Sequence, residues 1–275
     1  MKNYALIGCP LGHSMSPIIH KELFLSNNEN ATYELIEIGK KDLYSSFNEL
    51  KKLNGFNVTI PHKIDVIKNL DMLSQRAELF GAVNKVHNDN GKLVGYNTDC
   101  HGFLRGLQLA DIVLTGKVLI LGCGGVARMF AFESVLANCD VTLAVRESSL
   151  DKANNLKNEI KEKLNYNVNV VNIDTVGGNW DLIINGTPVG MYPNTLVSPV
   201  KREVVESSSA VFDAIYNPKS TLLLDYAKKA NIKYSNGLSM LVLQAAVSQE
   251  IWYGAKFSNE DIIKVIEITQ RELDK

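Results

Sequence analysis

The chain has 275 residues, 45% hydrophobic and 21% charged, with a formal net charge of −1. That length predicts one large α/β domain or two of ordinary size, and the composition excludes a disordered chain. No Lys/Arg stripe marks a nucleic-acid groove, and the longest apolar runs are strand-length, far short of a membrane span.

In chain order, the apolar run at 4–7 predicts a strand and 8–14 a loop, rather than the unbroken core of a signal peptide. Ser16-Pro17 opens a helix to about residue 25, with proline in its favoured first turn. A strand over 33–38 and a helix over 42–53 follow. The stretch 57-NVTIPHK-63 predicts a strand stopped by Pro61. Helices are expected over 63–70 and 72–80. Asn90-Gly91 predicts a hairpin turn between strands at 83–87 and 93–96. Asn97-Thr98-Asp99 opens a helix to about residue 109. A second alternating series begins near Gly116. It has strands at 118–121, 141–145, 168–173, 182–185 and 211–213, and helices at 126–136 and 150–164. Helices at 240–253 and 261–273 close the chain. Such alternation predicts mostly parallel sheets covered by helices, hence two α/β domains joined near residue 100.

Cysteines stand at 9, 100, 123 and 139 with no CxxC spacing. That excludes a structural zinc site and a disulfide framework, and fits reduced thiols in the cytoplasm. The sequence 118-VLILGCGGVA-127 places Gly122, Gly124 and Ala127 in G-x-G-x-x-A spacing between a strand and a helix. In that context the loop Gly122-Cys123-Gly124-Gly125-Val126 predicts pyrophosphate binding at a helix N-terminus. After the next strand stand Arg146 and Glu147. Arginine suits the extra phosphate of NADP, whereas an acidic residue suits the ribose of NAD; two solvated charges at a strand end are the plain alternative.

Seven segments then stand in order: 12-GHSMSPIIH-20, 57-NVTIPHK-63, 81-GAVNKV-86, 96-YNTDCHG-102, 185-NGTPVGM-191, 213-DAIYNPKSTLLL-224 and 236-NGLSMLVLQAA-246. Together they resemble the shikimate dehydrogenase family from about residue 4 to residue 253. The resemblance implies a substrate domain of residues 1–102 completed by 240–275, and a Rossmann-type NADP domain of residues 103–239, separated by a cleft. It implies hinges near 100–105 and 236–240. It also implies reversible, NADPH-dependent reduction of 3-dehydroshikimate to shikimate on the route to chorismate and the aromatic amino acids.

Carried over by position, Ser14 and Ser16 match the serines that hold the substrate carboxylate. Asn57, Thr59 and Asn84 match contacts to the ring. Lys63 matches the catalytic lysine and Asp99 its acidic partner. Tyr216 and Gln244 complete the substrate pocket, and Thr187, Gly237 and Met240 line the nicotinamide end. Read without the family, Ser16 is a helix N-cap, Lys63 a surface lysine, Asp99 a first-turn acid, Asn84 a turn residue, Tyr216 packing beside a turn and Met240 core. The chain departs from the family at three places. Val145-Arg146-Glu147 stands where the family has Asn-Arg-Thr, keeping the arginine and losing two polar phosphate partners, with Lys152 as a late second basic residue. Cys123 replaces alanine, and Leu243 precedes Gln244. Two alternatives accompany the main expectation: a quinate/shikimate dehydrogenase using NAD, kept open by Glu147, and a non-catalytic sensor of nucleotide and ring acid. No metal, nucleic acid or membrane is expected, and monomer and homodimer are both open.

Overall fold

The computed structural model describes residues 1–12 and 14–275. The chain divides into two compact units, residues 1–102 with 241–275, and residues 103–240.

The first unit contains β1 (Lys2–Gly8), α1 (Ser16–Ser26), β2 (Ala31–Glu37), α2 (Leu43–Leu50), β3 (Gly55–Val58), β4 (Met72–Leu73), α3 (Gln75–Phe80), β5 (Lys85–Asp89) and β6 (Lys92–Tyr96). It continues into α4 (Asp99–Leu109). The six strands lie in the order β2-β1-β3-β5-β6-β4. β1 pairs parallel with β2 and β3, while β5 is antiparallel to both neighbours. The expected hairpin is present, with Asn90 and Gly91 both at positive φ, as a two-residue turn between twisted strands requires. Ile7, Phe47, Phe56, Val86 and Leu93 form the core of this unit.

The second unit holds β7 (Lys117–Leu121), α5 (Gly125–Leu136), β8 (Asp140–Val145), α6 (Leu150–Leu164), β9 (Asn169–Asn172) and β10 (Leu182–Asn185). Then come α7 (Arg202–Glu206), β11 (Ala210–Asp213), α8 (Leu222–Lys229) and β12 (Lys233–Ser235). Its strands run in the order β12-β11-β10-β7-β8-β9, parallel throughout. β10 and β11 are buried at every position, as strands covered on both faces must be. α9 (Gly237–Tyr253) and α10 (Asn259–Leu273) end the chain. A capping box between Ser258 and Asp261 starts α10.

Two local expectations are corrected. Residues 63–70 give only a short 3-10 turn, Asp65–Asn69. The expected helix at 72–80 begins as strand β4, because Met72 and Leu73 pair with Val94 and Gly95. Ser74 then caps α3 by accepting the Ala77 N–H. The small elements α7, α8 and β12 add to the pattern expected from sequence.

The C-terminal helices complete the first unit. Trp252 stacks on Tyr4 with ring centroids 4.2 Å apart, and its indole N–H donates to the Val86 carbonyl at 2.9 Å. Gly55 makes room for it: a Cβ there would stand 2.2 Å from Trp252 Nε1. Lys85 is fully buried beside these rings. Its Nζ lies 4.2 Å from the Tyr96 ring centroid and 5.7 Å from that of Trp252. Among the described residues it has no hydrogen-bond partner. Burial holds its pKa well below the usual 10.5.

Candidate functional site

In the first unit the site grows from the ends of β3 and β6. Val83 donates its N–H to the Lys63 carbonyl at 2.8 Å, which ties the segment after Pro61 to the chain entering β5. Asp99 is the first residue of α4, where the unpaired N–H groups of a helix favour an anion. Lys63 Nζ donates to Asp99 Oδ2 at 2.7 Å. Asn84 Nδ2 donates to the other carboxylate oxygen at 2.8 Å and to Thr98 Oγ1 at 3.0 Å. The Thr98 N–H donates to Asn84 Oδ1 at 2.7 Å. This backbone donor fixes which end of the Asn84 amide is oxygen, so its NH2 must face Asp99. The Lys63 and Asp99 side chains are 34% and 21% exposed. The pair is therefore oriented from behind and open in front.

The strand expected to run up to Pro61 ends sooner, since β3 stops at Val58 and leaves Thr59 beyond it. Thr59 still donates its N–H to the Ile7 carbonyl at 2.9 Å, so β1 backs it. Gly8 accommodates Thr59, since a Cβ there would lie 2.4 Å from Thr59 Cγ2. Asn57 is buried and heavily engaged. It accepts from the Tyr33 hydroxyl at 2.8 Å and donates to Ser248 Oγ at 3.1 Å and the Asn84 carbonyl at 3.4 Å. Gln244, one turn before Ser248 on α9, accepts from Thr98 Oγ1 at 3.5 Å and donates to the Leu241 carbonyl at 2.9 Å. Asn57, Lys63, Asn84, Asp99 and Gln244 thus belong to one connected network.

Ser16 is not an N-cap. Met15 holds that position and makes no side-chain cap bond. Ser14 Oγ accepts the Ser16 N–H at 3.3 Å. Tyr33, on β2, donates its hydroxyl to Asn57. Burial raises its phenol pKa, so the hydroxyl stays a neutral donor. His20 stacks on the Tyr33 ring at 4.0 Å, and burial pushes His20 down to about 3, leaving the imidazole neutral. Tyr33, Thr98 and Ser248 carry the network and were not singled out from sequence. His13, inside the first quoted segment, lies outside the described residues.

The second unit carries the glycine loop and its neighbours. Gly122 has φ +97, and a Cβ on it would stand 2.8 Å from Thr187 Cγ2. No atom lies within 4 Å of the Cβ positions of Gly124 and Gly125, the N-cap and first residue of α5. The loop and helix start therefore leave open space over backbone N–H groups, as a dinucleotide pyrophosphate needs. Ala127 is small for a visible reason: Gly186 packs against it, and a Cβ there would come within 2.7 Å of Ala127 Cβ.

Thr187 is held by Asn185, whose Oδ1 accepts its N–H at 3.0 Å and its hydroxyl at 2.7 Å. Asn185 in turn donates to Asp213 Oδ1 at 2.9 Å. Burial pushes Asp213 up to about 6 although Thr221, the Ile215 N–H and Asn185 all bond it. Gly237 starts α9 against the Ala214 carbonyl, which a Cβ would approach to 2.0 Å. Met240 is buried. Tyr216 is half-buried, with its phenol pKa raised by that burial. Cys123 is buried, and desolvation raises its thiol pKa, with Lys152 opposing from nearby. Arg146 is exposed at the end of β8, and Glu147 accepts from Asn172 Nδ2 at 3.0 Å. No cluster of three or more metal-ligating side chains occurs among the described residues, and none of their helices is long and apolar enough to cross a membrane.

The profile of the shikimate dehydrogenase substrate binding domain matches residues 6–86. The NADP(+) shikimate dehydrogenase of Caldanaerobacter subterraneus subsp. tengcongensis is 39% identical over 270 residues, 96% of each chain. A crystal structure of a shikimate dehydrogenase in complex with NADP+ matches with a TM-score of 0.88 at 40% identity, covering 98% of this chain and 95% of that one. The enzyme from Thermus thermophilus, solved with NADP(H) and shikimate, also gives a TM-score of 0.88, at 30% identity over 98% of this chain and 100% of that one. Similarity of this extent, over a chain with two such α/β units, makes this protein a member of the shikimate dehydrogenase family.

Proposed function

We propose that this chain catalyses the reversible, NADPH-dependent reduction of 3-dehydroshikimate to shikimate, in the pathway to chorismate and the aromatic amino acids. The observation that carries the catalytic part of this reading is the Lys63–Asp99 pair, held from behind by Asn84 and open in front. A sensor that only binds a ring acid has no use for such a pair.

When bound, NADPH supplies a hydride to the carbonyl carbon. Negative charge then builds on the carbonyl oxygen, where the Lys63 ammonium stabilises it and donates a proton. Ketone, hydride and proton balance to the alcohol, and the partly exposed Lys63 regains its proton from solvent. Asp99 is proposed to hold Lys63 in place, and Asn84 to fix Asp99. Ser14, Ser16 and Thr59 are proposed to meet the carboxylate and ring hydroxyls, with Gln244 and Tyr216 completing the pocket. Asn57 has both amide hydrogens engaged, so it offers its carbonyl lone pair. Gly122, Cys123, Gly124, Gly125, Val126 and Arg146 are proposed to hold the dinucleotide, with Thr187, Gly237 and Met240 at its nicotinamide end. The four cysteines form no disulfide, which suits a reducing cytoplasm.

Initial rates of shikimate and quinate oxidation, each with NADP+ and NAD+, test the activity. Turnover of shikimate with preference for NADP+ is expected. No turnover with any pair would sink the catalytic reading. In the glycine loop, Gly122→Ala puts a methyl group on a residue at positive φ and against Thr187. It should weaken NADP+ binding about tenfold or more by titration calorimetry, since about 1.4 kcal/mol of strain or displacement suffices. Unchanged affinity would remove this loop from the binding site.

A further inference from the structure

The sign of charge after β8 is contradictory as a sequence: Arg146 favours a ribose phosphate, and Glu147 repels one. The structure resolves the contradiction through Asn172, the last residue of β9. Asn172 Oδ1 accepts the Asp174 N–H at 3.0 Å. That backbone donor fixes the amide orientation and leaves Nδ2 as a donor, which bonds Glu147 Oε2 at 3.0 Å. The direction of this pull follows from strand order. β8 lies between β7, which leads into the glycine loop, and β9, the edge strand. Val145 is the register partner of Asn172. Glu147 is thus drawn toward the sheet edge, on the side of β8 opposite the glycine loop.

We propose that Asn172 is a positioning residue for cofactor choice: by holding the Glu147 carboxylate at the sheet edge, it leaves Arg146 free to receive the phosphate that distinguishes NADP+ from NAD+. This rests on the reading of the chain as an NADP-dependent dehydrogenase. A released Glu147 would face the same region as Arg146 and oppose that phosphate, while an uncharged ribose would be indifferent or favoured.

The test is fluorescence titration of NADPH and NADH, without substrate, on wild type, Asn172→Ala, Glu147→Gln and the double variant. Asn172→Ala should raise the Kd for NADPH about three- to tenfold and leave that for NADH unchanged, as expected for loss of one exposed restraint. Its KM for NADP+ should rise with kcat retained. Adding Glu147→Gln to Asn172→Ala should bring NADPH binding back to within about twofold of wild type, because a freed neutral amide does not repel phosphate. General damage to β9 would not be rescued this way. An unchanged NADPH/NADH ratio in Asn172→Ala, or a double variant as weak as the single one, overturns the proposal while wild type still prefers NADPH. A wild type without that preference overturns the cofactor reading itself, and the proposal with it.

Discussion

Lys63→Ala should lower kcat by about 10²- to 10⁴-fold, the range for loss of a positioned acid that also stabilises an oxyanion. Shikimate binding, measured by calorimetry without turnover, should change only a few-fold, because the remaining ring contacts come from other side chains. The reasoning is differential. The ketone oxygen carries little charge in the bound ground state and much more as hydride arrives, so the ammonium is worth most in the transition state. Asp99→Asn should fall in the same direction by a smaller factor, since Asn84 and the start of α4 still hold the side chain while the charge on it is gone. A Lys63→Ala enzyme near the wild-type rate would refute the catalytic assignment. A large rise in KM with kcat retained would make Lys63 a binding group instead.

The second large effect concerns stability. Lys85 is a buried amine between two aromatic rings with no hydrogen-bond partner among the described residues. Its pKa is well below 10.5 in the folded chain and ordinary in the unfolded one. Between those two values the unfolded chain binds one more proton, so folding stability rises with pH. The slope reaches about 1.4 kcal/mol per pH unit while the amine is neutral only in the folded state. Lys85→Met fills the same space without a titrating group. The variant should be the more stable at pH 7 by chemical denaturation, and its advantage should shrink steadily as pH rises toward 10. Comparing the two proteins at each pH cancels the other groups that titrate, including His20 below pH 6.5 and Cys139, which burial pushes up to about 11. A variant whose advantage does not depend on pH would mean that Lys85 stays charged inside the fold.

The sequence made the parallel sheets visible because their strands are continuous apolar runs separated by turn signals. It made the hairpin visible because Asn90-Gly91 is a local code. It also exposed Lys63, Asp99 and the glycine loop, since each sits in a short motif whose spacing the family resemblance interprets. What it hid was long-range. Ser248 meets Asn57 across 191 positions, and Tyr33 reaches Asn57 across 24. Neither pairing leaves a trace in local periodicity. The β4 strand exists only because β6 pairs with it, and Glu147 is tamed only because Asn172 lies on the adjacent strand. Ser16 shows the opposite failure, where a local rule was legible but wrong: the helix starts one residue earlier than a serine cap would place it.

The first unit is discontinuous in the chain, and this bears on how the protein is made. Trp252 and Ser248 lie far beyond the end of the first segment at Gly102. On a ribosome moving at about 5–20 residues per second, those residues arrive roughly 7–30 s after Gly102. Until then Tyr4 lacks its stacked indole, Gly55 faces an empty slot and Asn57 lacks its Ser248 partner. The second unit is one unbroken segment whose sheet is complete by Ser235. The later-made unit has all its parts before the first does: every strand of the first sheet is synthesised by Tyr96, yet that sheet stays incompletely covered until the last two helices arrive.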